Sequence, residues 1–271
     1  ARAQHDQRAE GVANLSFSEI YDRVDVDSTS KLSYHLGELT GTFVRKDEGG
    51  YSFTHAGEHV VRFILAQNFA EPRDVGVNQT GGTCLFCGAS DLAGRINHQL
   101  FLVECRECGR PNVGHDITPA QARDRDWPAL AESIAHRHAA EFAQVQRGHC
   151  PMCGGRIETR VREAPPEATP DAVAYLAVSE CEDCLRCYNA PLPYTVAHHP
   201  AAVAFHWEHD VDITAKPLWE FHDYAVAGDW TAEEVASDPP AYEVVHRAGS
   251  DELRARVDET ATVLRTERVR R

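Results

Sequence analysis

The chain has 271 residues, 42 acidic against 27 basic, for a formal net charge of −15, and its hydrophobic fraction of 42% is enough for ordinary globular cores. No run approaches the roughly eighteen apolar residues of a membrane span. The first ten residues, ARAQHDQRAE, lack the basic-then-apolar order of a secretory signal, so a cytoplasmic protein off the membrane is expected.

Only three of the basic residues are lysines, Lys31, Lys46 and Lys216. An acidic, lysine-poor surface suits a protein kept dissolved in molar salt, and it argues against phosphate binding that relies on overall positive charge. Local charge differs from the sum. The span from Ser28 to Lys46 holds Lys31, Arg45 and Lys46 against Glu38 alone. All nine cysteines lie beyond position 83, which divides the chain near residue 76.

In the N-terminal part, Ser16-Phe17-Ser18-Glu19 has the form of a capping box and predicts a helix carrying Phe17, Ile20, Tyr21 and Val24. Asp25-Val26-Asp27 reads as a turn, with Asp27 or Ser28 capping the next helix. There Leu32, Leu36 and Leu39 form one stripe, leaving Ser30, Lys31, Ser33, Tyr34 and Gly37 opposite. Short hydroxyls and a cation on an exposed helix suit the major groove of DNA. Thr42 to Lys46 and Tyr51 to Phe53 alternate like strands around the glycine turn Asp47-Glu48-Gly49-Gly50, forming a wing with Arg45 and Lys46 at its base. A closing helix begins near Thr54; its apolar Val60, Val61, Ile64 and Leu65 could pack on the core and on a second subunit.

The segment Ser30-Lys31-Leu32-Ser33-Tyr34-His35-Leu36-Gly37-Glu38-Leu39 resembles the Ser-x-x-Ser-x-His-Leu-x-x-Leu recognition helix of ArsR-like winged-helix regulators. SFSEIYDRV, SYHLGELTGTFVRK and Tyr51 to Gly57 are most similar to haloarchaeal helix-turn-helix proteins with a zinc-ribbon C-terminal region. The resemblance implies a homodimeric transcription regulator. The family places a long apolar helix before the cap, whereas ARAQHDQRAEGVANL is short and polar, as though part of that helix were missing.

Cys84-Leu-Phe-Cys87 and Cys105-Arg-Glu-Cys108 have the spacing of paired knuckles that give zinc four thiolates. Gly88 and Gly109 follow each pair and permit the tight turn that aims backbone amides at sulfur. A strand from Gln99 to Val103 leads into the second knuckle. Cys150-Pro-Met-Cys153, strands near Arg156 to Val161 and Ala172 to Val178, and Cys181-Glu-Asp-Cys184-Leu-Arg-Cys187 repeat the arrangement. VSECEDC parallels LVECREC and favours Cys181 with Cys184, while Cys184 with Cys187 stays open as the alternative pair. Four thiolates leave no open coordination position, so two structural zincs per chain are expected, with no catalytic role.

A helix over Trp127 to Gln146, with Leu130, Ile134, Phe142 and Val145 inward, and another over Thr195 to His209 brace the metal sites. Beyond Asp238-Pro239-Pro240, Tyr242 to His246, Glu252 to Val257 and Thr260 to Val269 predict a small antiparallel sheet. His55 with His59, and the group His198, His199, His206 and His209, read as packed or solvated histidines. No phosphate loop, nucleophile elbow or His-Glu-x-x-His occurs.

The expected architecture is α+β: a winged helix-turn-helix over 1–75, a zinc ribbon over 76–112, a linking helix over 113–148, a second ribbon with its following helix over 149–230, and a C-terminal meander over 231–271. The expected function is binding of double-stranded DNA through Ser28, Thr29, Ser30, Lys31, Ser33, Tyr34, Arg45 and Lys46 by a homodimer. No enzymatic activity or small-molecule substrate is expected. The alternatives are a protein-binding scaffold of the transcription apparatus and a redox- or metal-responsive regulator using the second zinc site.

Overall fold

A computed structural model describes residues 14–165 and 172–270. The polar stretch read as a shortened first helix lies almost wholly outside the described residues. The chain is mixed α+β and divides into two compact units, the first running to Glu71 and the second from Pro72 to the end.

In the first unit the Ser16 hydroxyl accepts from the Glu19 amide and the Glu19 carboxylate accepts from the Ser16 amide, closing the capping box that starts α1 (Phe17–Tyr21). The helix ends there, so Val24 lies beyond it and is exposed. Ser28, not Asp27, caps α2 (Thr29–Leu39) by accepting from the Lys31 amide. Leu32 and Leu36 are buried, whereas Leu39, expected in the same stripe, sits exposed at the rim. Strands β1 (Val44–Asp47) and β2 (Gly50–Phe53) form a hairpin whose turn requires Gly50 at φ +120°. Thr54 caps α3 (His55–Leu65), and Gly57 lies so close to the Phe43 carbonyl that no side chain fits there.

Among the described residues the second unit holds three antiparallel sheets. The first is a meander of β3 (Asn78–Thr80), β4 (Leu92–Asn97), β5 (Leu100–Cys105) and β6 (Pro111–Asp116). A short α4 (Pro119–Ala122) and the long α5 (Trp127–Val145) follow, the latter capped by Asp126. The second sheet contains β7 (Ile157–Glu163), β8 (Tyr175–Cys181) and β9 (Cys187–Pro191).

The helix expected over Thr195 to His209 is two: α6 (Leu192–Ala197) and α7 (Pro200–Glu208), broken where Pro200 withholds an amide and His199 caps the next turn. A 3-10 turn (Leu218–Glu220) and α8 (Phe221–Ala227) lead to the last sheet, β10 (Trp230–Ser237), β11 (Pro240–Ala248), β12 (Asp251–Asp258) and β13 (Val263–Val269). Its first strand had no expected counterpart, because TAEEV looks polar and the anchoring Trp230 stands alone at its start.

The segments expected as successive modules are fused by shared cores. Leu92, Phe101 and Val103 of the first sheet pack with Leu130 and Ile134 of α5 and with Trp219 from far downstream. Phe142, at the other end of α5, packs with Tyr194, Phe221 and Trp230. Small cysteine-bearing sheets bury little apolar surface alone, so the long helix and the aromatic segment around residue 220 supply the rest.

Candidate functional site

Four knuckles of one design gather the cysteines. In each, the amide of the fifth residue donates to the carbonyl of the first: Gly88 to Cys84, Gly109 to Cys105, Gly154 to Cys150 and Leu185 to Cys181. The amide of each first cysteine is satisfied in turn by the carbonyl of the sixth residue, Ala89, Arg110, Gly155 and Arg186. This double bond pair forces the fifth residue into the left-handed region, at φ +73°, +69° and +78° for the three glycines and +60° for Leu185.

The knuckles meet in pairs. Cys84 Sγ lies 3.7 Å from Cys108 Sγ, and Cys87 Sγ 3.6 Å from Cys105 Sγ. In the second group the Cys150–Cys184 and Cys153–Cys181 separations are 3.7 and 3.5 Å. All four sulfurs of each group lie within 4.8 Å of one another. A tetrahedral centre with metal–sulfur bonds of about 2.3 Å has sulfur–sulfur edges of about 3.8 Å, so both groups fit a four-coordinate metal.

The electrostatics agree with that fit. Burial opposes ionisation of Cys84, but the amides of Cys87 and Phe86 and the Asn112 side chain point at its sulfur and bring it down to about 7. Cys150, buried likewise and held by the amides of Cys153 and Met152, also falls to about 7. The Ala89 amide favours the Cys87 thiolate, yet burial and hydrogen bonds to the three other sulfurs push it up to about 12. Once one thiol of a group ionises, its neighbours resist, and only a shared cation lets all four serve as thiolates.

Cys187 stands apart from the second group. It is exposed at the start of β9, with its sulfur 3.5 Å from Asn189 Oδ1. The structure therefore brings Cys181 and Cys184 to the site and leaves out the pair Cys184 with Cys187. Two supporting side chains carried no motif: Asn112 on β6, which also accepts from the Leu85 amide at 2.8 Å, and Tyr188 on β9, whose phenol burial pushes up and whose hydroxyl faces Cys150. They sit in sequence where only the folded sheet reveals their target.

The sequence profile of a family described as a domain of unknown function, DUF7351, matches residues 81–263. That is more than half of the chain and includes both cysteine groups. The chain belongs to the DUF7351 family. A second profile, also described as a domain of unknown function, DUF7347, matches residues 3–64. No curated protein and no solved structure matches the chain.

In the DUF7347 region, the cap Ser28 and Thr29, Ser30, Lys31, Ser33 and Tyr34 of α2 are all exposed, Tyr34 at 64%. Lys31 pairs with Asp27 at 2.9 Å, the Arg45 guanidinium donates to Ser52 Oγ at 2.7 Å, and the Lys46 ammonium lies over the Tyr51 ring. Asp27 is exposed, whereas Ser52 is buried within the hairpin. His55 and His59 approach to 3.0 Å between ring nitrogens on α3, and among the described residues no third ligand joins them. The DUF7351 region buries His206, His222 and His246 as packed groups, while His198 and His199 are only half-buried. No helix among the described residues is long and apolar enough to cross a membrane.

Proposed function

We propose that the chain is a non-enzymatic transcription regulator that binds double-stranded DNA through α2, with Arg45 and Lys46 of the β1–β2 hairpin on the backbone. The observation that carries this reading is the polarity of α2. Leu32 and Leu36 anchor one side, while Ser30, Lys31, Ser33 and Tyr34 form a continuous exposed face of hydroxyls and one cation. A helix so anchored, followed by a hairpin with Arg45 and Lys46 on its first strand, has the element order of a winged helix-turn-helix of the ArsR-like kind.

The DUF7351 region would then carry two structural zincs, held by Cys84, Cys87, Cys105 and Cys108 and by Cys150, Cys153, Cys181 and Cys184, in the manner of zinc ribbons. Tetrathiolate coordination leaves no position for substrate. Val60, Ile64 and Leu65 on α3 are exposed and open to a protein partner, and a homodimer belongs to the same proposal. The acidic, lysine-poor composition supports a cytoplasmic protein of a salt-adapted archaeon.

Retardation of duplex DNA in molar KCl tests the proposal. Ser33→Glu should abolish retardation while leaving the thermal transition unchanged, because position 33 is exposed and the new carboxylate would face phosphate and base acceptors. Undiminished binding by this variant would remove α2 from the interface, and absence of binding by the parent at every salt concentration would overturn the reading.

A further inference from the structure

The last sheet has order β10-β11-β12-β13, so β13 bonds to β12 on one side and, among the described residues, no backbone group bonds its other side. The two edges of this sheet differ. β10 carries Glu233 and Glu234 and is broken by a bulge between Glu234 and Ala236, both devices that deter pairing. β13 has its irregularity at Leu264, leaving Arg265 to Val269 as a regular, exposed stretch.

We propose that this edge is a two-fold interface at which a second copy of the chain pairs its own β13 antiparallel, joining two sheets into one of eight strands. In a symmetric antiparallel pair, facing residues must point their amides the same way, so one residue lies on the axis opposite its own copy. Charge selects which. An axis at Arg265, Glu267 or Arg268 sets like charges face to face, and an axis at Val269 opposes Arg268 to Arg270. Within the regular stretch, an axis at Thr266 opposes Thr266 to itself and Arg265 to Glu267 twice over.

The intrachain surroundings point the same way. Arg265 faces another arginine, Arg256, across the β12–β13 ladder, and among the described residues neither makes an ion pair. A partner's Glu267 would supply the missing countercharge to Arg265. The Arg268 guanidinium lies over the Phe205 ring and is held by Glu208 at 2.7 Å, which keeps that side chain off the edge. Leu264, 59% exposed, would be covered by the partner strand.

The interface does not depend on DNA binding, and two variants of the full, metal-loaded chain test it. With Thr266→Cys, thiols on the axis come within a Cα–Cα distance of about 4.5 to 5.5 Å, inside the disulfide range of about 4.4 to 6.8 Å. With Leu264→Cys they stand about 13 Å apart, four strand positions at about 3.3 Å each. Under mild oxidation the first should give covalent dimer at least tenfold faster than the second. Equal rates overturn the proposal.

The second test is a charge exchange read by sedimentation equilibrium. Arg265→Glu should weaken dimerisation at least tenfold, and adding Glu267→Arg should restore it. A double variant as weak as the single overturns the proposal. A dimer that persists in Arg265→Glu, with unreactive Thr266→Cys, places association elsewhere and overturns it equally.

Discussion

Mild acid should destabilise the second unit through its buried histidines. His138 on α5, His206 on α7, His222 on α8 and His246 on β11 are driven by burial from an ordinary 6.5 down to about 3, 4, 4 and 3. The geometry of His246 shows why. Its Nε2–H donates to the Pro193 carbonyl at 3.0 Å, so its Nδ1 accepts from His206 Nε2–H at 3.2 Å, and Trp230 stacks on its ring. No open site remains for a proton, and among the described residues no carboxylate lies against the ring to compensate the charge.

Because these folded values are depressed, the unfolded chain binds more protons below pH 6.5, and stability falls from there down to the folded values. Between pH 7.5 and 5.5 each such histidine costs about 1.4 kcal/mol, so the four together cost about 5 to 6 kcal/mol. That compares with total domain stabilities of about 5 to 15 kcal/mol. Urea unfolding at the two pH values measures the loss. His138→Phe isolates the contribution of a single ring, the one that packs on His115 and Phe142. The variant should lose about 1.4 kcal/mol less than the parent across the same interval. An equal loss in both, or a His138 ring titrating near its ordinary value in the folded protein, would refute the reasoning.

Native mass spectrometry should find two metals per parent chain, one after Cys184→Ser and two after Cys187→Ser, since only the former is among the grouped sulfurs. Leu185→Gly relieves a left-handed residue worth about 1 to 2 kcal/mol, against roughly 0.5 to 1 kcal/mol of added chain freedom. With Leu185 83% exposed no packing is lost, so the melting temperature should rise by about 1 to 3 °C. A fall would show that this knuckle is not strained. In Gly94→Ala the new methyl runs into the Trp127 ring, which stacks on Phe101. The urea midpoint should drop by the equivalent of roughly 1 to 3 kcal/mol.

Local chemistry made much of the fold legible. The Ser16–Glu19 box, Ser28, Thr54, the Gly49-Gly50 turn and the Cys-x-x-Cys pairs act over a few residues, so their geometry follows from the order of amino acids. The glycine after each of three knuckles belongs to the same class. The sequence by itself therefore determined the element order of the first unit, the two cysteine groups and the inner face of α5. What only the tertiary structure decided rests on contacts distant along the chain. Cys184 reaches Cys150 from 34 residues away. His206 meets His246, 40 residues on. Trp219 completes a core begun near residue 84. Periodicity shows which side of an element is apolar, but not which distant element covers it, and burial, charge state and ligand choice depend on that second fact.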